Sequence, residues 1–285
     1  MVRLPRSSYQ YKFKLRDDQL IQEALTDMVT RHPSIGFRQS FEQFRDAGRG
    51  WNHKRVKRVY REMKLNIRRR AKRRLPERVK QPLVVPAGIN HTWSIDFISD
   101  SLVDGRKFRV LNVMDDFNRE SLALEADTSL PALRVIRVLE KISEQRGKPL
   151  NLRTDNGPEF ISYKLREWCT SKQITIQYIQ PGRPMQNAYV ERKNGSLRRE
   201  LLNAYLFDSL QEVRIMCEEW RTYYNTQRPH KALKYLTPMK YAEKHYSSLD
   251  PQTANGNILK IEGSRLGDQI NEKPDDLKSK TPVSN

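Results

Sequence analysis

Residues 180–201 read QPGRPMQNAYVERKNGSLRREL. The stretch follows an apolar strand-like run at 174–179 and places one carboxylate, Glu191, inside a short basic helix. Val190, Leu197 and Leu201 form the apolar stripe of that helix. Glu191, Asn194 and Arg198, at i, i+3 and i+7, share a polar one. A carboxylate followed two turns on by a base suits a metal next to a phosphate. A solvated ion-pair face is the plainer reading of the same pattern.

Upstream stand two aspartates in strand-like runs, Asp96 within TWSIDFI at 92–98 and Asp155 closing LNLRTD at 150–155. Between Asp155 and Glu191 lie 35 residues. Asp96 sits between Ile95 and Phe97, where an unpaired charge is expensive. Asp155, in RTDNGPEF, also reads as a turn residue before Asn156-Gly157. Asp115 and Asp116, ending another apolar run, are the main rivals for a site.

Around these residues the texture is strand, strand, strand, helix, strand, helix, strand, helix. Strands are expected at 92–98, 108–114, 121–126, 150–153 and 174–179, with Asp104-Gly105 as a turn signal. A helix at 131–145 begins at a proline and stops at Gly147, and another covers 158–171. The helix carrying Glu191 is expected to run to about 205, and a further amphipathic helix spans 210–224. Hairpins followed by strand-helix alternation give an α/β fold, a mixed five-stranded sheet with helices on both faces over residues 91–246. In such a sheet Asp155 falls at the carboxyl end of the fourth strand, the edge where open α/β sheets build sites.

The chain has 285 residues, enough for about two domains, and a net charge of +19 with pI about 10.0. Through residue 90 there are 23 basic against 8 acidic residues, so most of the surplus lies in the first third. That imbalance favours a polyanionic partner through counterion release. Residues 1–16 form a basic arm. Residues 17–66 read as a small all-α, helix-turn-helix-like domain. Its last helix opens at Asn52, turns Val56, Val59, Tyr60 and Met63 inward, and leaves Lys54, Arg55, Lys57, Arg58 and Arg61 outward for DNA. Residues 67–90 form a basic linker suited to a phosphate backbone, and 247–285 a polar tail expected to be disordered. Two cysteines, Cys169 and Cys217, lack disulfide or zinc-ligand spacing, so a reducing cytoplasm is expected. No apolar run of about 18 residues exists, and no membrane partner is expected.

Three carboxylates brought together repel. At about 4 Å and an effective dielectric of 20, each pair costs about 4 kcal/mol. Divalent cations offset this, and oxygen-only ligands with room for phosphate select Mg²⁺ or Mn²⁺. Two such ions per site support in-line phosphoryl displacement. The competing chemistries fit less well. No histidine motif pairs with a serine or cysteine nucleophile, and there is no P-loop. A two-carboxylate glycosidase would leave the +19 unexplained.

The segments WSIDF, RTDNGPEF, PGRPMQNAYVERKNGSLRREL and YYNTQRPHKAL, in this order, resemble the DDE transposases of bacterial insertion sequences, and in wording the second-frame (OrfB) proteins of the insertion-sequence-three group. The likeness runs from about residue 17 to 242. It implies a ribonuclease-H-like catalytic core related to that of retroviral integrases, and Mg²⁺-dependent DNA cleavage and strand transfer at Asp96, Asp155 and Glu191, which would hold the metals. Arg198, with Arg192 and Lys193 beside it, would contact DNA near the cut. Asn156, Gly157 and Asn187 would support the site as second-shell or backbone-positioning residues. The segment with Tyr224, Asn225, Arg228, Pro229 and His230 is a family marker without assigned chemistry. Double-stranded DNA, both element ends and target, is the implied partner. Self-association on DNA, and an upstream-frame (OrfA) protein, are implied as well. The setting would be the bacterial cytoplasm, nucleoid-associated when bound to DNA. The zinc-binding domain of retroviral integrases is absent from the sequence. The alternatives are a non-catalytic helix-turn-helix regulator and a simple metal-dependent nuclease.

Overall fold

A computed structural model describes residues 18–66, 86–180 and 187–246. The basic arm, most of the basic linker, the polar tail and residues 181–186 lie outside the described residues. The chain divides into two compact units, Met1–Ala71 and Lys72–Asn285.

The first unit holds three helices, α1 (Gln19–Arg31), α2 (Phe37–Asp46) and α3 (His53–Glu62). Apolar residues at helical spacing drive their packing. Ile21, Leu25 and Met28 of α1 meet Phe41 and Phe44 of α2 and Val56, Val59 and Tyr60 of α3 in one core. Asn52 opens α3 by accepting the Lys54 N–H at 2.8 Å, which satisfies one of the first-turn donors.

The second unit is built on strands β1 (Thr92–Ser101), β2 (Lys107–Asp115), β3 (Ser121–Asp127), β4 (Asn151–Thr154) and β5 (Thr175–Tyr178). They form one sheet in the order β3-β2-β1-β4-β5. The β1–β2 and β2–β3 pairs are antiparallel, and β1–β4 and β4–β5 are parallel. This is the mixed five-stranded sheet expected of a ribonuclease-H-like core. Gly105, at φ +83, takes the left-handed position that the β1–β2 turn needs.

Helices cover both faces. On one face, α4 (Ala132–Arg146) and α5 (Tyr163–Ser171) pack on Trp93, Ile95, Leu111, Val113 and Leu152. On the other, α6 (Ala188–Leu197) and α7 (Leu210–Thr226) pack on Ile98, Phe108, Val110 and Leu124. The two-residue period of β1 therefore sends Trp93 and Ile95 to the first layer. Asp96 and Ile98 go to the second. A short turn at Lys231–Leu233 and α8 (Pro238–Tyr246) complete the unit.

Two expected helices are shorter than their patterns suggested. Ser162 accepts the Leu165 N–H and starts α5 there, five residues after the expected boundary at 158. The helix expected to reach 205 stops at Leu197 and passes into a π-helical turn, Arg198–Leu202. The widened turn adds a residue to the helical period and lets the consecutive Leu201 and Leu202 both be buried.

Candidate three-carboxylate site

The sheet register brings the two aspartates together. β1 and β4 run parallel with Thr92 opposite Asn151, Trp93 opposite Leu152 and Ser94 opposite Arg153. Carried two residues on, that register sets Asp155 beside Asp96, on strands spaced about 4.8 Å apart. The helix α6 supplies the third carboxylate. Its Asn194 donates from Nδ2 to Asp96 Oδ2 at 2.7 Å, which fixes the helix over mid-β1. Glu191 lies three residues earlier and so on the same helical face.

The electrostatics report the same convergence. The Asp96 carboxyl is raised to about 6, first by burial and then by the charges of Asp155 and Glu191. Its own neighbour, the Phe97 N–H, and the Asn194 amide oppose the rise. No basic side chain is among the groups that shift it. Glu191 is exposed, and its carboxyl is raised by partial burial. Asp155 is exposed at the end of β4. Among the described residues, no three His, Cys, Asp or Glu side chains stand close enough as placed to hold a metal ion. Asp155 and Glu191 thus lie near enough to act on the charge of Asp96, but as placed the three do not close to ligand distance.

The turn after β4 is shaped around Asp155. The Gly157 N–H donates to Asp155 Oδ1 at 3.0 Å, and Asn156 Nδ2 donates to the Ile179 carbonyl at 3.0 Å, which ties the turn to the end of β5. A Cβ on Gly157 would lie 3.1 Å from Asp155 Oδ1 and 3.4 Å from the Phe160 ring. Asn187 is buried just before α6, and its side chain does not cap that helix.

The basic residues expected to meet DNA divide sharply. Arg192 is exposed on α6. Arg198 is half-exposed on the π-helical turn. It donates to the Ser99 carbonyl at 3.0 Å and stands 3.8 Å from Asp100 Oδ2, so it lies along β1 just beyond Asp96. Lys193 is a correction. It is 2% exposed, donates to Asn112 Oδ1 and to the Val113 carbonyl, and lies 5.7 Å from the Tyr224 ring centroid. Burial pushes its ammonium well below the usual lysine range and keeps it out of reach of a partner. On α3, Lys54, Lys57 and Arg61 are exposed. Arg55 and Arg58 instead both pair with Asp18 at the start of α1, Arg55 at 2.6 Å, and Arg58 also pairs with Glu62 at 3.0 Å. Those two guanidiniums brace the first unit.

The rival aspartates are spoken for. Asp115 is opposite Trp93, at the other end of β1 from Ser101, and accepts the Asn90 and Phe117 N–H groups at 2.8 and 2.9 Å. Asp116 is buried against Arg153 Nη1 at 2.6 Å. Both work as buried acceptors that hold the strand ends.

Two participants escaped the sequence reading. Asn112 is opposite Asp96 in the β1–β2 ladder and fully buried, and it donates to Asn194. An asparagine inside the apolar run VLNVM was the available signal. Arg119, at φ +62, lays its guanidinium 3.2 Å from the Tyr189 ring centroid at the start of α6. The marker segment is structural in its contacts. Asn225 bonds the backbone N–H and carbonyl of Ser121, and Arg228 pairs with Glu200 at 2.7 Å. Trp220 also donates to Glu200, and His230 packs on Tyr224 at 4.5 Å. Together they tie α7 to β3 and to the turn that follows the Glu191 helix.

The family described as "Integrase core domain" matches twice, over residues 86–184 and 172–238. The chain is 38% identical over 255 residues to the "Insertion element IS407 uncharacterized 31.7 kDa protein" of Burkholderia multivorans, covering 89% of this chain and 92% of that one. It is 36% identical over 227 residues to the "Insertion element IS476 uncharacterized 39.2 kDa protein" of Xanthomonas euvesicatoria, covering 80% and 66%. Among solved structures, the HTLV-2 integrase catalytic core domain in complex with magnesium is similar over 55% of this chain and 98% of that chain, at 22% identity and TM-score 0.43.

Proposed function

Since the chain belongs to the insertion-element transposases built on an integrase core domain, we propose that it cuts and joins DNA strands at Asp96, Asp155 and Glu191. The single observation behind this reading is the charge environment of Asp96, a half-buried carboxylate raised by desolvation and by the charges of Asp155 and Glu191. Such a cluster is costly unless a cation relieves it. Each Asp96 oxygen accepts one protein donor, from the Phe97 N–H and the Asn194 amide, and keeps a lone pair for another partner. An all-oxygen donor set of this kind fits a hard divalent cation.

Asp96, Asp155 and Glu191 would hold two magnesium or manganese ions, which supply charge stabilisation to the entering and leaving oxygens of an in-line displacement. The chain's own residues do the rest. Asn194 and Phe97 hold the Asp96 carboxylate, Gly157 holds that of Asp155, and Arg198 and Arg192 offer positive charge to the phosphates flanking the cut. Water or a DNA 3′-hydroxyl attacks phosphorus directly, and the bridging oxygen leaves without a covalent protein intermediate. Residues 17–66 act as the DNA-binding domain, with Lys54, Lys57 and Arg61 on the contacting face, and residues 91–246 as the catalytic core. Self-association on DNA and help from an upstream-frame protein complete the reading, in the bacterial cytoplasm. No helix among the described residues is long and apolar enough to cross a membrane.

The test incubates the full chain and Mg²⁺ with linear DNA carrying the element's ends and a supercoiled target. Joined products that vanish in Asp155→Asn and Glu191→Gln are expected. Hydrolysed ends alone would mean a nuclease, and binding without cleavage a regulator. Either result overturns the reading.

A further inference from the structure

Behind Asp96 a line of polar side chains crosses the apolar layer between the sheet and the helices α6 and α7. Lys193 donates to Asn112 Oδ1, Asn112 Nδ2 donates to Asn194 Oδ1, and Asn194 Nδ2 donates to Asp96 Oδ2 at 2.7 Å. Lys193 and Asn112 are essentially inaccessible, at 2% and 0% exposure. Nothing in the chemistry assigned above uses either of them.

The order of donors and acceptors is set by the two ends. Lys193 Nζ directs its N–H donors at Asn112 Oδ1 and the Val113 carbonyl, and an ionised carboxylate offers only acceptors, whereas an asparagine amide can turn either way. With Lys193 at one end, Asn112 must turn its carbonyl oxygen toward the amine and its NH₂ toward Asn194. Asn194 must then turn its own oxygen toward Asn112 and its NH₂ toward Asp96. Each bond dictates the next. The Val113 carbonyl, 3.3 Å from Lys193 Nζ, anchors the far end to β2. Without Lys193 both amides could rotate together, and Asn194 would present a carbonyl oxygen to the Asp96 carboxylate.

We infer that Lys193 and Asn112 are positioning residues that act through Asn194 to hold the Asp96 carboxylate in the orientation needed for a divalent cation. The inference rests on Asp96 being a cation-holding carboxylate, as proposed above. Half of its test does not.

The test uses the full chain with Lys193→Met, which keeps the length of the side chain and removes the donors, and the double variant Asn112→Leu/Lys193→Met, which replaces the buried polar pair by an apolar one. Two quantities are read. The first is Mn²⁺ affinity by calorimetric titration. The second is the side-chain NH₂ resonance of Asn194 in ¹⁵N spectra recorded without metal, assigned by its loss in Asn194→Asp. Thermal melting of each variant shows that it folds. Expected are a fall in Mn²⁺ affinity of about three- to tenfold in both variants, and a displaced or broadened Asn194 NH₂ resonance. An unmoved resonance, with affinity within twofold of wild type, would overturn the inference. So would a folding defect in Lys193→Met that the double variant does not repair, since Lys193 would then act through packing. A wild-type chain that binds no Mn²⁺ would overturn the reading of Asp96 as a cation ligand, and the metal-free resonance would still decide whether the amides are oriented by Lys193.

Discussion

Replacing Asp96 by Asn should abolish strand transfer and at the same time make the cation-free protein more stable at neutral pH. Burial, Asp155 and Glu191 raise the Asp96 carboxyl from 3.8 to about 6. The folded state therefore binds this proton more tightly than the unfolded chain. Stability attached to the group is fully present below about pH 4, is lost as pH climbs to about 6, and is level above that. At about 1.4 kcal/mol per pKa unit, the charged form costs the fold about 3 kcal/mol at pH 7.5. Asparagine removes that cost but cannot accept from both the Phe97 N–H and the Asn194 amide, which Asp96 meets at 2.8 and 2.7 Å. The mismatched contact gives back about 1 kcal/mol. The net gain is about 1–2 kcal/mol, or a rise in Tm of roughly 2–8 °C. The assay is thermal unfolding of wild type and Asp96→Asn in chelator at pH 4.5 and 7.5, repeated at pH 7.5 with Mn²⁺. The gain should appear at pH 7.5 and vanish at pH 4.5, and Mn²⁺ should raise the Tm of wild type only. Asp115, also raised to about 6 by burial, adds to the pH slope of both proteins and cancels in their difference. A variant less stable than wild type at pH 7.5, or a difference unchanged between the two pH values, would refute the reasoning.

Other expected outcomes follow from single contacts. Arg228→Ala should cost about 3–5 kcal/mol, because Glu200 is left mostly buried without its cation; denaturant unfolding measures it. Gly157→Ala should lower the strand-transfer rate at least about tenfold (~1.4 kcal/mol) with little change in Tm, since its Cβ would crowd Asp155 Oδ1 at 3.1 Å. Lys57→Ala should leave melting unchanged and reduce the salt dependence of DNA binding by about one counterion, read from the slope of log affinity against log salt. Arg55→Ala should instead lower the melting temperature of the first unit, because Arg55 is held at 2.6 Å by Asp18.

Much of the fold was legible because its strands are short apolar runs bounded by turn residues. The strand expected at 150–153 is found at Asn151–Thr154, and Gly147 ends α4 as its position implied. Spacing alone singled out Asp96, Asp155 and Glu191 as a set. The parallel register that brings the two aspartates side by side was not legible, because strand order is fixed by long-range pairing. Lys193 shows where residue type misled. It stands three positions after Val190 and four before Leu197, squarely in the inward stripe, and periodicity alone would have buried it. Its charge suggested a surface position, and only a partner from another strand, Asn112, makes burial tolerable. Arg55 and Arg58 differ, since Arg58 is exposed as expected, but the acid that pairs with both, Asp18, stands just before another helix and was not legible from α3 alone. The π-helical turn at Arg198–Leu202 had no local signal beyond the adjacent pair Leu201-Leu202.

The measurement closest to the central claim is anomalous diffraction at the manganese edge from crystals of the full chain grown with Mn²⁺. The expected result is density bounded by Asp96, Asp155 and Glu191, with carboxylate oxygens within about 2.4 Å of the ion. Density at Asp115 or Asp116, or none between the three carboxylates at saturating Mn²⁺, would contradict it.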